Sequence, residues 1–497
     1  MNAEPINKKK AFSALFLIEL WERFGYYGMA VLLVLFMKDS LGFSDTRANL
    51  TWGAFAAMVY AVPTIGGWLG DRVLGAKRLT VLGGIVLGLG YVLLAIPGPT
   101  WLLFFALGVV AVGNGLFKAN PANLISRVYE GEQAKVDSAF TMYYMAVNVG
   151  ALMSQFLTPI VRVNVGWHAG FAVCAAGMAF GLVNFMMMRR HMRNVGSTPD
   201  FEPLRIGRLL AVIVGAFVFA ILIAGVLQNL AVARAVVWTA AAILLVIFAL
   251  LIGRSERGER NGLIAVLLLT AQGILFFIFY QQMSTSLTLF ALRNVDLNFL
   301  GYLVPPEQFQ LLNPFWIMVL SPLLAWLYTH RGEQGADLPI ATKFAIGFAM
   351  LSVGFFIYGL SGNFAEAGMV SAWWLIWGYF FQSLGELLIS GLGLAMVARY
   401  VVPRLRGFIM GAWFLATGIS QYLGSVVANF ASVPDTVTDP LRTLPLYTDL
   451  FMKLGYTAVI GTIIAFGMLP LMRRLSKYPE TEQTLPEGAP RNILEET

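Results

Sequence analysis

Stretches of about 20 apolar residues, the length of a helix that crosses a bilayer, recur along almost the whole chain with short polar or basic turns between them. Six runs come first, at 11–37, 48–69, 79–97, 101–125, 139–161 and 167–188. A basic loop with Arg189, Arg190, Arg193, Pro199 and Pro203 follows. Two further runs, 208–227 and 235–253, are nearly empty of polar side chains, with Gln228, Asn229 and Arg234 at their turn. A second basic loop holds Arg254, Arg257 and Arg260, and six more runs fit at 262–291, 311–329, 341–361, 370–399, 405–430 and 447–472. The pattern predicts an all-α polytopic membrane protein of about fourteen spans, arranged 6 + 2 + 6. The expected units are a six-helix bundle at 1–190, a linker with two extra transmembrane helices at 191–260, a second six-helix bundle at 261–475 and a cytoplasmic tail at 476–497.

Lysine and arginine test this count, because cytoplasmic loops are enriched in both. With both termini cytoplasmic, about 25 of these residues fall inside and about 7 outside, which leaves Arg23 and Lys118 at bilayer depth. So strong an asymmetry supports an even number of spans.

The first run is not uniformly apolar. Glu19, Glu22, Arg23, Tyr26 and Tyr27 stand at i, i+3, i+4, i+7 and i+8, one stripe of a helix. Ionisable side chains at this depth are costly and face a bundle interior or a watery cavity. Two carboxylates share one guanidinium. Arg23 is placed to pair with Glu19 one turn away, which leaves Glu22 in low dielectric beside a negative neighbour. Both conditions disfavour the ionised carboxylate, so the stripe is a candidate for proton coupling.

Composition narrows the class. Hydrophobic residues make up 58% of the 497 and charged residues 12%, against roughly 25% charged in soluble domains. The net charge of +7 sits in short loops, where it reads as topology and not as a nucleic-acid surface. Cys174 is the one cysteine, so neither a disulfide framework nor a cysteine metal site is available. His168, His191 and His330 stand near predicted helix ends, and no H-E-x-x-H pattern occurs. A membrane enzyme is therefore not expected; no catalytic residue, metal ligand or cofactor is assigned beyond the coupling proton. Lys8, Lys9 and Lys10 sit where a signal peptide has its basic region, but Glu19, Glu22 and Arg23 and the lack of a small-residue cleavage site speak against one.

After the second run comes Gly66-Gly67-Trp68-Leu69-Gly70-Asp71-Arg72-Val73-Leu74-Gly75-Ala76-Lys77-Arg78. This resembles the G-x-x-x-D-R-x-x-G-x-K/R-R loop of the major facilitator superfamily, as does the 6 + 6 organisation. Glycine lets helices approach closely, Asp71 can accept bonds at a helix end, and the basic residues anchor at the cytoplasmic surface. Gly67, Asp71 and Arg72 are taken as the conformational loop. The matching loop around His330-Arg331 is degenerate.

Glu19-Leu20-Trp21-Glu22-Arg23-Phe24-Gly25-Tyr26-Tyr27-Gly28 is similar to the E-x-x-E-R-F-x-Y-Y-G motif of proton-coupled oligopeptide transporters. Met142-Tyr143-Tyr144-Met145-Ala146-Val147-Asn148-Val149-Gly150 resembles that family's helix-five signature. Gly113-Asn114-Gly115-Leu116-Phe117-Lys118-Ala119-Asn120-Pro121 and Gly385-Glu386-Leu387-Leu388-Ile389-Ser390 match too. The resemblance runs along the whole chain, extra pair included, and is closest to bacterial dipeptide and tripeptide permeases. It implies a major facilitator fold and a peptide site built from Tyr26, Tyr27, Tyr60, Lys118, Tyr144, Asn148, Phe277, Gln281, Asn313, Glu386, Ser390 and Trp413.

The residues support the same reading. Glu19, Glu22, Arg23, Lys118 and Glu386 are three carboxylates against two cations, so one proton neutralises the set. A zwitterionic peptide needs a cation for its carboxylate and an anion for its ammonium, which Lys118 and Glu386 supply from opposite halves. Without substrate the two are placed to pair with each other, so a peptide that competes for both would loosen the halves.

Two positions depart from the family pattern. Where many members carry an arginine after Y-Y-G-x and a glutamate on helix seven, this chain has Ala30 and Gln281. The outer gate is then expected to close by packing or neutral hydrogen bonds through Gln281 and Gln282. The histidine that animal transporters carry on helix two is absent, leaving proton coupling to carboxylates. The expected protein is a proton-coupled symporter for dipeptides, tripeptides and peptide-like drugs. It is expected as a monomer in the bacterial inner membrane, with lipid bilayer around it and no nucleic-acid partner. The alternative is another facilitator, for nitrate, a sugar or another small solute; nitrate needs no facing amine site, so Glu386 argues against it.

Overall fold

The structure is a computed structural model that describes residues 7–333, 338–389, 393–434 and 436–475. The first six runs become α1 (Lys8–Leu35), α2 (Asp45–Ala61) continued by α3 (Pro63–Arg72), α4 (Ala76–Ala95), α5 (Thr100–Val128), α6 (Gln133–Asn164) and α7 (Trp167–Met188). The inserted pair is α8 (Ile206–Gln228) and α9 (Leu230–Arg254). Then come α10 (Arg257–Tyr280) continued by α11 (Ser286–Asn294), α12 (Leu312–Glu333) and α13 (Ile340–Leu360). The series closes with α14 (Trp373–Ile389), α15 (Gly393–Tyr400), α16 (Pro403–Ala428), α17 (Pro440–Gly467) and α18 (Leu469–Leu475). Among the described residues, twelve helical segments are long and apolar enough to cross a membrane. The two remaining expected spans are α14 with α15, and the 26-residue α16. The tail from 476 onward lies outside the described residues.

Two expected single helices are broken. Proline has no N–H to continue the helical ladder, so α2 ends at Ala61 and α3 starts at Pro63. Between α10 and α11, Gln281–Ser284 tighten into a 3₁₀ turn and Thr285 leaves helical geometry at φ −123° and ψ −98°. A short hairpin not foreseen from the pattern pairs Asn298 with Leu303 and Phe299 with Tyr302. Its turn uses positive φ at Leu300 and Gly301.

Between α1 and the inserted pair, burial runs opposite to apolarity. The apolar window of α1 is 89% buried and that of the more apolar α9 only 17%. The helix with the charged stripe is surrounded by protein, while α8 and α9 turn Phe217, Leu222, Trp238 and Leu245 outward, as contact with lipid requires. Among the early helices α1 packs on α6 and α7, α4 on α5 and α7, and α3 on α5. Among the late ones α13 packs on α14 and α17, α12 on α14, and α10 on α16, while α2 meets α16 across the two sets.

Bare backbone sets the closest approaches. A Cβ on Gly66 would stand 1.9 Å from the Gly115 carbonyl oxygen, so α3 and α5 touch only because both positions lack side chains. The same device seats α8 on α5, where a Cβ on Gly108 would stand 2.3 Å from the Ala220 carbonyl oxygen. Its partner α9 rests on α16, α10 and α2. The inserted pair therefore straddles the early and late helices.

Candidate functional site

The stripe on α1 is buried: Glu22 is 0% exposed, Glu19 3% and Arg23 4%. Arg23 Nε lies 3.2 Å from Glu19 Oε1 and also donates to Glu22 Oε2. This corrects the expectation that Glu22 is left without the guanidinium: the arginine sits between both carboxylates. Asn114 Nδ2 donates to the other Glu22 oxygen at 3.3 Å, and the Tyr143 hydroxyl donates to Glu19. Asn114 and Tyr143 stand inside the motifs, but sequence reasoning gave them no role. Arg23 Nη2 is buried without a partner, a state that buried donors seldom tolerate.

Beside the stripe a cavity of about 300 Å³ lies between the early and late helices. Of the expected peptide-binding residues, Tyr26, Tyr27, Tyr60, Tyr144, Asn148, Phe277, Gln281, Asn313 and Glu386 line it. Lys118 and Trp413 are not on its lining. Lys118 stands behind Tyr60, with its ammonium 4.8 Å from the ring centroid. Trp413 meets Phe277 edge to face at 6.2 Å and covers Gly273 and Gly393. Ser390 lies outside the described residues.

Sequence reasoning missed Trp52, Gln155, Tyr280, Gln310 and Gln421, which also line the cavity. Trp52 Nε1, Gln155 Oε1 and Gln421 Nε2 are buried without partners. The one available signal was an amide inside an apolar run, since a buried polar group needs a partner.

Glu386 is held within α12 and α14. Asn313 Nδ2 donates to Glu386 Oε2 at 2.6 Å and to Ser383 Oγ at 3.1 Å. The expected Lys118–Glu386 pair is not formed: Glu386 is bonded to Asn313 while Lys118 covers Tyr60. Asn148 Nδ2 donates back to the Tyr144 carbonyl at 2.9 Å, which leaves its side-chain oxygen for other bonds.

The cavity walls differ in charge. The α1 and α2 wall is tyrosine, with cations behind it: the Arg23 guanidinium lies 5.4 Å from the Tyr26 ring centroid and Lys118 behind Tyr60. The α12 and α14 wall carries the Glu386 carboxylate. A molecule with separated positive and negative ends fits this polarity.

The end of the bundle away from Lys8 is latched by charge. Arg293 donates to Asp45 Oδ2 at 2.7 Å and to Asp45 Oδ1 at 2.9 Å. Lys38 reaches Asp45 at 2.9 Å, and the Val433 amide donates to it at 3.1 Å. Arg162 Nε donates to Glu307 at 2.8 Å, and Asn49 to Asn429 at 3.0 Å. Closure is therefore ionic, not the neutral closure expected from Ala30 and Gln281. Gln281 contributes a 3.4 Å bond to Ser425 and Gln282 a 2.9 Å bond to the Gly424 carbonyl. The charges that do the latching sit at span ends, where they look like ordinary loop residues.

At the opposite end, Asp71 accepts from Asn123 Nδ2 at 2.6 Å and from Arg127 at 3.4 Å, so it ties α3 to α5 instead of capping a helix. Arg72 is exposed, and a Cβ on Gly67 would meet Ala119 at 3.3 Å.

Residues 77–446 match the model of the POT family. Dipeptide and tripeptide permease B of Salmonella typhimurium is 43% identical over 481 residues, covering 96% of this chain and 98% of its own. Dipeptide and tripeptide permease A of an Enterobacter species is 44% identical over 478 residues, covering 96% and 95%. A solved bacterial homologue of the human drug peptide transporters PepT1 and PepT2 superposes with TM-score 0.85 and 52% identity, over 94% of this chain and 99% of that one. Tetrameric PepTSo2 superposes with TM-score 0.87 and 54% identity, over 94% and 99%. The architecture is thus the major facilitator fold expected from the sequence, with the inserted pair.

Proposed function

The chain belongs to the POT family, and on that premise we propose that it is a proton-coupled symporter that imports dipeptides and tripeptides by alternating access. The observation that carries this is the polarity of the cavity, with Glu386 on one wall and Arg23 and Lys118 behind the tyrosines of the other. Glu386, oriented by Asn313, takes the peptide ammonium. The peptide carboxylate goes to the hydroxyls of Tyr26, Tyr27 and Tyr60, and Lys118 reaches it by leaving the Tyr60 ring. Asn148, Gln155 and Gln421 serve the backbone amides. Aromatic walls give contact area to side chains of varied shape, peptide-like drugs included.

Glu19 and Glu22 hold the coupling proton. They compete for Arg23, so a proton on Glu22 removes one competitor and frees the guanidinium to shift. Its unpartnered Nη2 supports this role. With both termini cytoplasmic, the Asp45–Arg293 latch is the outer gate and the structure is closed to the outside. The bundles at 1–190 and 261–475 rock about the cavity, with 191–260 as linker. The chain works as a permease in the bacterial inner membrane and not as an enzyme.

The test is uptake of a labelled dipeptide into proteoliposomes under an imposed pH gradient. Accumulation that a protonophore collapses, and that peptides but not sugars or nitrate inhibit, is expected. Accumulation indifferent to the gradient, or inhibited by nitrate, rejects the proposal.

A further inference from the structure

A second hollow of about 710 Å³ is an open groove on the outside of the bundle, where the start of α4, the end of α7 and the start of α8 converge. It lies at the end that carries Lys8, since the turn after α7 packs on α1. Its floor is apolar, with Val81 and Ile85 from α4, Phe185 and Met186 from α7, and Leu209 and Ile213 from α8. Its rim is cationic: Lys77, Arg78, Arg189, Arg190 and Arg193 line it, and no carboxylate is among the described lining residues.

The cations are positioned but not neutralised. The Lys77 ammonium donates to the Met192 carbonyl at 3.0 Å, and Arg78 donates to the carbonyls of Pro199 at 2.9 Å and Glu202 at 2.6 Å. The nearby Asp200 carboxylate accepts from the backbone amides of Ser197 at 2.9 Å and Lys77 at 3.2 Å, which closes the α4 terminus. Arg190 meets His191 at 3.3 Å. Arg189 and Arg193 are exposed and make no side-chain bond with the described residues.

We propose that this groove binds one anionic phospholipid, with the headgroup phosphate among Arg189, Arg193 and Lys77 and an acyl chain along the α4–α7–α8 floor. A basic rim on an apolar floor at the membrane boundary matches both parts of such a molecule. A free phosphate gains nothing from the floor, and a zwitterionic lipid brings, beside its phosphate, an ammonium that the cationic rim repels. The bound lipid joins the start of α8 to the early helices, well away from the Gly108 notch that seats α8 on α5.

The test is native mass spectrometry of the intact protein released from nanodiscs of equal phosphatidylglycerol and phosphatidylethanolamine. The wild type is expected to retain phosphatidylglycerol preferentially at one copy per chain. Neutralising the rim with Arg189→Gln, Arg190→Gln and Arg193→Gln together is expected to weaken retention roughly 10- to 100-fold. Arg254→Gln with Arg257→Gln removes charge outside the groove and is expected to leave retention intact. Glycerol phosphate, the headgroup without chains, is expected not to displace the lipid. Equal retention of both lipids by the wild type overturns the proposal without any variant. So does unchanged retention in the triple variant, equal loss in the Arg254 and Arg257 variant, or displacement by glycerol phosphate.

Discussion

Asp45 and Arg293, 248 positions apart, meet as a two-pronged ion pair at 2.7 and 2.9 Å that joins the start of α2 to the end of α11. The Asp45 side chain is 0% exposed and that of Arg293 12%. Removing one partner of a buried pair costs about 3 kcal/mol, enough to move a conformational equilibrium about a hundredfold. Asp45→Asn is therefore expected to unlatch this end. Distances between spin labels at Thr46 and Ser432 should lengthen and peptide uptake should fall, with partial recovery in Asp45→Arg/Arg293→Asp. Unchanged distances in Asp45→Asn would remove the pair from the gate.

Glu22→Gln keeps the shape of the buried side chain and its Asn114 neighbour but can no longer cycle a proton. Concentrative uptake under a pH gradient is expected to disappear, while exchange of peptide across equal concentrations persists. Normal accumulation by this variant takes Glu22 out of the coupling role.

Glu386 and Gln281 both line the cavity, but only Glu386 carries a charge for the peptide ammonium. A bond to a charged group is worth about 1.5–3 kcal/mol and a neutral one about 0.5–1.5. Glu386→Ala should weaken dipeptide binding at least about tenfold, and Gln281→Ala clearly less. Equal losses give the helix break at Gln281 a direct part in binding.

Two charged ends on fixed walls impose a length limit. An extended chain adds at most about 3.6 Å per residue, a step that side chains and a bridging water can absorb once. Dialanine and trialanine should compete with a labelled dipeptide. Alanine, tetra-alanine, N-acetylated dialanine and amidated dialanine should compete weakly, because each strands a buried charge. Strong competition by tetra-alanine or by both blocked forms removes the two-ended site.

Glu132, between α5 and α6, gives a control on pH. Lys135 at 2.6 Å and Lys8 at 2.7 Å hold its carboxyl down from 4.5 to about 2. A depressed value means that the contribution to the folded state is present above 4.5 and is lost progressively as pH falls from there through about 2. Glu132→Gln is expected to leave the pH profile of uptake between about pH 5 and 8 unchanged. A shifted profile would tie this surface network to coupling.

The apolar runs located the helices because a span has to be apolar wherever it meets lipid or packs on another helix. The α1 stripe was legible for the opposite reason: charges so costly in a membrane are not carried idly. Asp45, Arg162, Arg293 and Glu307 were not legible as a latch. Each lies near a span end, where charge is cheap, and each pairs with a residue far away in sequence. Gln155 and Gln421 were marked only as amides inside apolar runs, with no motif to give them a role, and the retreat of Lys118 behind Tyr60 depends on tertiary packing that no motif encodes.

The inserted pair offers no site in its middle, yet its seating constrains how the transporter can move. With the Ala220 carbonyl fitted into the notch at Gly108, α8 cannot slide along α5 without steric collision. Rocking must then be taken up where α9 rests on α16 and α10. Along that face α9 has almost no polar side chains to fix one register against another. The pair is thus carried by the first bundle and serves the second as a sliding rail, for which chemical emptiness is the right surface.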